Sequence, residues 1–201
     1  MLDRWRGLAV VLMVLDHALA ATMAWSGTAD LAEFTRLTLT RAAMPVFMVV
    51  SGDLADRHAP RPARLVQVAA AALVVNLLWA VLPVGTAPPD ILLLWLAAML
   101  VRRLWVAWPV PAVILGLIQT LYWPIPYNGY QPGLVVALLA VGVLAHRARA
   151  IPPLTLPPVL DRPVAAIGRH PLGWYLAHIV AIALVALVLV RTGTVAPVRP
   201  G

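Results

Sequence analysis

Four ionisable side chains fall inside runs of sequence that are otherwise almost wholly apolar. Asp16 and His17 lie within Trp5–Trp25, Arg41 lies within Leu37–Leu54, and His178 lies within Val164–Val190. In water such residues would need no explanation. At the middle of a helix in lipid each costs roughly 2.5–3.5 kcal/mol or more, so each needs a partner or a function. Packing does not require an imidazole next to a carboxylate, and imidazole is the side chain suited to proton transfer near neutral pH. An Asp16–Arg41 ion pair would compensate both charges, either to serve a site or only to lock two helices together. Arg6 precedes His17 by 11 residues, close to three helical turns, so the two project from one face about 16 Å apart. His178 follows Tyr175 by three residues and shares a helix face with it. The competing reading of His178 is a histidine hydrogen-bonded to a neighbouring helix.

Other motifs carry less. Gly168-Arg169-His170-Pro171 reads as a helix start, with proline near the first helical position. That end and Arg169 can attract a phosphate-bearing ligand, or Arg169 can simply set topology. Ser51-Gly52-Asp53 lacks the G-x-S-x-G pattern and any strand context, which argues against a serine-hydrolase elbow. His17, His178 and Asp16 include no i, i+4 histidine pair, so no metal site is expected. Asn76 and Gln119 read as hydrogen bonds between helices.

The elements that must position these groups follow from composition. The chain has 201 residues, 62% hydrophobic and 11% charged, with mean hydropathy +0.89. A soluble domain is roughly 45–50% apolar and about 25% charged, and a core of this size cannot hide the excess. Soluble enzymes, disordered chains and nucleic-acid-binding domains are thereby poor fits. There is no cysteine, hence no disulfide, thiolate nucleophile or thiolate metal ligand. The expected fold is all-α: a polytopic transmembrane helix bundle of about seven spans, set against the roughly 20 residues a bilayer requires, the fourth of them, Ile91–Val101, short enough to be a re-entrant or thin segment. The spans are Trp5–Trp25, Leu37–Leu54, Leu65–Leu82, Ile91–Val101, Leu104–Tyr122, Gly133–Ala145 and Val164–Val190. Pro109 and Pro111 are expected to kink the start of the fifth. The last is long enough to include a surface turn. Residues 1–191 form one transmembrane domain in this reading, and 192–201 a loose tail. Arg147–Pro163, with five prolines, reads as an extended connection. Tryptophans near span ends, such as Trp5, Trp105 and Trp108, read as interfacial anchors. Arg4, Arg6 and the following apolar run also resemble a signal peptide, an alternative that leaves Asp16 and His17 as its polar break.

All 15 basic residues are arginine. With the N-terminus in the cytoplasm, eleven of them fall on inside segments and four outside, which favours N-terminus in and C-terminus out for seven spans. The formal charge of +7 is therefore mostly topogenic. No basic stripe interleaved with aromatics points to nucleic acid. The arginine-only, Ala/Leu/Val/Pro-rich usage fits a high-GC bacterial gene and a multi-pass protein of the bacterial inner membrane. A homo-oligomer is compatible with this reading.

Three patches in order then resemble the polytopic membrane acyltransferases. They are Asp3-x-x-Arg6-Gly7 with His17, Met44-Pro45-Val46-Phe47-Met48-Val49-Val50-Ser51-Gly52, and Gly168-Arg169-x-x-Leu172-x-x-Tyr175-x-x-His178. That superfamily includes acyltransferase 3 proteins, heparan-α-glucosaminide N-acetyltransferase-like proteins and TraX-type pilin acetylases. The run to Asp16-His17 and Arg41-x-x-x-Pro45-x-Phe47 look closest to the TraX type, as does the Asn128-Gly129-Tyr130 turn. Arg6-Gly7 and Ser51-Gly52 look more like the other two.

The resemblance implies transfer of an acyl group, usually acetyl from cytoplasmic acetyl-CoA, to a carbohydrate or a protein or peptide acceptor. Acyl-CoA would be a donor substrate, and no permanently bound cofactor is implied. His17 matches the family histidine that acts as general base or transient acyl carrier. Arg6 and Arg41 match positions that bind the donor or shape the site. Such a base takes the proton of an attacking hydroxyl or amine, an assistance typically worth about 10²–10⁴-fold. An arginine near the thioester oxygen can stabilise its developing charge. Arg102, Arg103, Arg147 and Arg169 are candidates for the CoA phosphates. Two rival readings use the same residues. A small proton-coupled transporter would use them as a relay, and should show repeated halves that are not evident here. A non-catalytic membrane scaffold would have them satisfy one another and line no cavity.

Overall fold

In the computed structural model, the described residues are 2–26, 42–81, 91–123 and 131–194. Arg41, the Asn128-Gly129-Tyr130 turn and residues 195–201 of the expected tail lie outside them. The fold of the described residues is all-α, with no strand among them. Helices α1 (Leu2–Ser26), α2 (Ala43–Arg57) and α3 (Pro62–Val81) are followed by α4 (Ile91–Leu100), α5 (Arg102–Ala107) and α6 (Pro109–Tyr122). Then come α7 (Pro132–Arg147), α8 (Pro158–Arg169) and α9 (Pro171–Arg191).

Proline punctuates this series. Pro109, Pro132, Pro158 and Pro171 open α6, α7, α8 and α9, where the missing N–H has no intrahelical partner to lose. The same chemistry corrects one expectation and bears out the helix start read at Gly168–Pro171. The fifth apolar run is broken rather than kinked: Trp108, at φ −124° and ψ 62°, separates α5 from α6. His170, at φ −125° and ψ 51°, separates α8 from α9 in the same way. Each precedes a proline, whose ring denies the preceding residue the helical region. The connection expected to stay extended through Pro163 turns helical at Pro158, and Pro163 sits inside α8.

The described helices fall into two compact units. One holds α1, α2 up to Val46, α3 from Val75, α8 and α9; the other holds the rest of α2 and α3 with α4 to α7. In the first unit α1 packs on both α8 and α9. A Cβ on Gly7 would strike the carbonyl of Val164, and one on Gly168 would strike the carbonyl of Asp3. These contacts fix Gly168 beside the start of α1, so α9 sets out from the end of α1 where Asp3 lies. In the second unit α7 is the hub. Val135, Leu139, Ala140 and Val143 are fully buried, and α4, α5 and α6 all pack on this helix. Glycines again permit the approach: Gly52 of α2 faces the Leu139 backbone, and Gly142 faces the Val49 carbonyl.

The outward faces are oil. Helix α9 has 21 residues and mean hydropathy 2.4, and only 28% of its most apolar stretch is buried. It is the one helix among the described residues long and apolar enough to cross a membrane, and Pro62–Leu78, Ile91–Leu100, Pro109–Tyr122 and Pro132–Arg147 are shorter apolar helices. On α6, Ile114, Leu115, Ile118 and Leu121 are exposed. Contiguous exposed apolar surface of this kind is what a lipid environment covers.

Candidate active site

The first unit brings together three of the expected residues. His17 stands in the fifth turn of α1, and His178 in the third turn of α9. Their side chains meet, with His17 Nδ1 2.8 Å from His178 Nε2. The rings are nearly parallel, at 15°, with centroids 5.0 Å apart. A centroid separation so much longer than the nitrogen contact sets the rings edge to edge along the hydrogen bond, not face on face. Tyr175 presents its ring to His178 at 80° with a centroid distance of 5.4 Å. Tyr175 and His178 are both buried, at 6% and 8% exposure. His178 Nδ1 reaches the Trp174 carbonyl at 3.1 Å. Two histidines joined in this way can pass a proton between them or share a positive charge.

Below them the base of α1 is held by charge. Arg4 donates to Asp161 of α8 at 2.8 Å, and Arg6 pairs with Asp3 one turn back. The Arg6 Nε is buried and makes no hydrogen bond. Asp16 is half-buried on α1 and is engaged in an interaction of its own. Its expected partner Arg41 lies outside the described residues. Arg169 is exposed at the end of α8.

The second unit holds a polar cluster that sequence reasoning passed over. Asp53, taken as the boundary of a span, is 1% exposed. Arg57, one turn on, grips it with two hydrogen bonds of 2.8 and 3.1 Å. His146 Nδ1 of α7 lies 3.1 Å from the same carboxylate. Arg147 bonds Asp56 at 3.0 Å and the Val106 carbonyl at 2.9 Å. These hydrogen bonds to Asp53 and Asp56 raise Arg57 and Arg147 above the ordinary arginine value, against a smaller opposing effect of burial. Both therefore stay charged at any working pH. The Asp53–Arg57 spacing of four residues was the available signal. The contact with His146 had none, because it joins helices far apart in sequence. Arg102 donates through Nε to the Ala55 carbonyl at 2.7 Å, which caps the end of α2. Arg103 beside it is exposed. Gln119 links two helices as expected: it accepts from the Gly133 N–H at 2.6 Å and donates to the Trp123 carbonyl at 2.6 Å. Among the described residues no group of three or more potential ligands is placed to hold a metal.

Residues 1–145 match the family model described as heparan-alpha-glucosaminide N-acetyltransferase, catalytic. The chain belongs to that family. The family points to a transferase, and the match contains Arg6, Asp16, His17 and Arg41. It stops before α8 and α9, so His178 joins His17 through the fold of residues beyond the matched stretch. No curated protein and no solved structure matches the chain.

Proposed function

We propose that this protein is an integral membrane acyltransferase that moves an acyl group, most simply acetyl, from acyl-CoA to a hydroxyl or amine acceptor. His17 is its general base or transient acyl carrier. The observation that carries the reading is the meeting of His17 and His178 between two helices, α1 and α9, that are otherwise largely apolar. A transferase family and an imidazole pair in oil point to the same chemistry: a proton must leave the acceptor as it attacks the thioester. The donor substrate is acetyl-CoA or another acyl-CoA, its phosphates drawn to cytoplasmic arginines, of which Arg103 and Arg169 are exposed. The acceptor class is a carbohydrate or a protein or peptide amine.

In this reading the chain crosses the bacterial inner membrane about seven times, N-terminus in and C-terminus out. The direction of α9 supports an odd number of crossings. It starts beside the same end of α1 and carries His178 up to His17, so the first and last spans run the same way.

The test is CoA release from acetyl-CoA by protein purified into lipid nanodiscs, with wild type set against His17→Ala. The expected loss is about 10²–10⁴-fold. Release that continues unchanged in His17→Ala overturns the assignment of His17.

A further inference from the structure

The two contacts of His178 place its proton, and through His17 Nδ1 they point to the reacting atom. A carbonyl oxygen can only accept, so the 3.1 Å contact with Trp174 places a proton on His178 Nδ1. A neutral imidazole carries one proton, which leaves the lone pair on its other nitrogen. That nitrogen, His178 Nε2, is the one facing His17 Nδ1 at 2.8 Å. His17 must then donate from Nδ1, and in its neutral form the lone pair falls on Nε2, across the ring from His178.

We infer that His178 is a positioning residue that holds His17 in the Nδ1–H tautomer, so that Nε2 of His17 is the atom that takes the acceptor's proton. This rests on the acyl-transfer reading above. The near-coplanar rings direct the His178 lone pair along the Nδ1–H bond, and the Tyr175 ring against His178 keeps that ring in plane. In the step, the acceptor oxygen or nitrogen attacks the thioester carbonyl carbon and its proton passes to His17 Nε2. The carbon–sulfur bond breaks, its electron pair leaves on the CoA sulfur, and the sulfur takes the proton back from Nε2. His17 ends neutral. While it is protonated, its positive charge is shared with His178 through the Nδ1–H···Nε2 hydrogen bond. A carboxylate orients a histidine in many hydrolytic sites; here a neutral imidazole anchored to a backbone carbonyl takes that place, a choice suited to a site in oil, where a second charge is costly.

The experiment uses the full chain in nanodiscs with its five histidines labelled with ¹⁵N in the ring. His17→Ala and His178→Gln assign the two signals. Nitrogen shifts are expected to report Nδ1–H for both His17 and His178. His178→Gln, whose carbonyl can accept from His17 Nδ1, is expected to keep that tautomer and to lower kcat less than about 10-fold. His178→Phe keeps the volume but accepts nothing, and is expected to release His17 to a tautomer mixture and lower kcat about 100-fold with KM for acetyl-CoA unchanged. A wild-type His17 protonated on Nε2, or Gln and Phe variants that fall equally, overturns the inference. Should the Phe variant fail to fold, the wild-type tautomer and the Gln variant still decide it. A protein with both histidines in the expected tautomer and no acyl-CoA turnover overturns the acyl-transfer reading instead, and leaves the placement of the protons standing.

Discussion

Gly7 and Gly168 touch backbone to backbone where α1 crosses α8. The nitrogen of Gly7 lies 2.8 Å from the place a Cβ on Gly168 would occupy, and the Asp3 carbonyl lies nearer still. The atoms in the way belong to a backbone, so they cannot turn aside as a flexible side chain would. Because α8 runs into α9 through the single residue His170, the separation of α1 from α8 also sets the height of His178 against His17.

Gly168→Ala is therefore expected to cost about 1–3 kcal/mol and to lower turnover as well. Gly173 is the control, since a Cβ there meets nothing within 4 Å. Gly173→Ala should leave stability unchanged or improve it slightly, as alanine favours helix. Thermal unfolding in detergent, followed by tryptophan fluorescence, checks both. Equal behaviour of the two variants would dismiss the crossing as a constraint.

The Asp53 cluster gives an ordering that runs against intuition. Removing the buried group should do less harm than removing its exposed partner. Asp53→Ala leaves Arg57, whose side chain is 39% exposed and can turn to water. Arg57→Ala leaves a carboxylate 1% exposed with His146 alone. We expect Arg57→Ala to cost on the order of 2 kcal/mol, a figure reduced from the fully buried case for the exposure of Arg57. The double variant should recover part of that loss. Unfolding midpoints of the three variants provide the measurement, and a milder Arg57→Ala than Asp53→Ala contradicts the argument.

Gln119 caps α7 from α6. Gln119→Leu keeps the size but leaves the Gly133 N–H without its acceptor and the Trp123 carbonyl without its donor. The expected cost is about 1 kcal/mol, read as a lower unfolding midpoint, with KM for acetyl-CoA unaffected. A variant as stable as wild type would show that water or lipid headgroups replace the cap.

Orientation can be read with cysteines, because the chain has none of its own. Ala150 and Thr194 are exposed beyond the ends of α7 and α9. In intact cells a membrane-impermeant maleimide is expected to label Thr194→Cys and to spare Ala150→Cys until the cells are opened. The reverse pattern would invert the topology, and labelling of both would deny that α9 crosses the membrane.

How much of this was legible beforehand depends on whether the signal was local. The apolar runs mark most helices to within a few residues, as α3 and α4 show. The rule that lipid punishes lone charges singled out His17 and His178, and the fold brings them together. The breaks at Trp108 and His170 were also local, since each stands before a proline: the helix start read at Pro171 is where α9 opens, whereas the run through Trp108 reads as kinked and is broken. Helix α8 was hidden by its prolines, because Pro158 and Pro163 read as an extended segment until Val164 and Gly168 are seen buried against α1. Asp53 was misjudged for a different reason. Its position marks a span end, but its burial comes from α7, more than 80 residues away, and no window along the chain contains both.

His17 and His178 stand 161 residues apart, and that distance has a consequence in time. Translation proceeds from α1 toward α9, so the nascent polypeptide carries His17 without its His178 contact throughout the synthesis of most of the chain. Only when the segment bearing Trp174 and His178 has left the ribosome can that contact form. On the acyl-transfer reading, a ribosome stalled anywhere upstream yields a fragment whose His17 lacks its positioning imidazole.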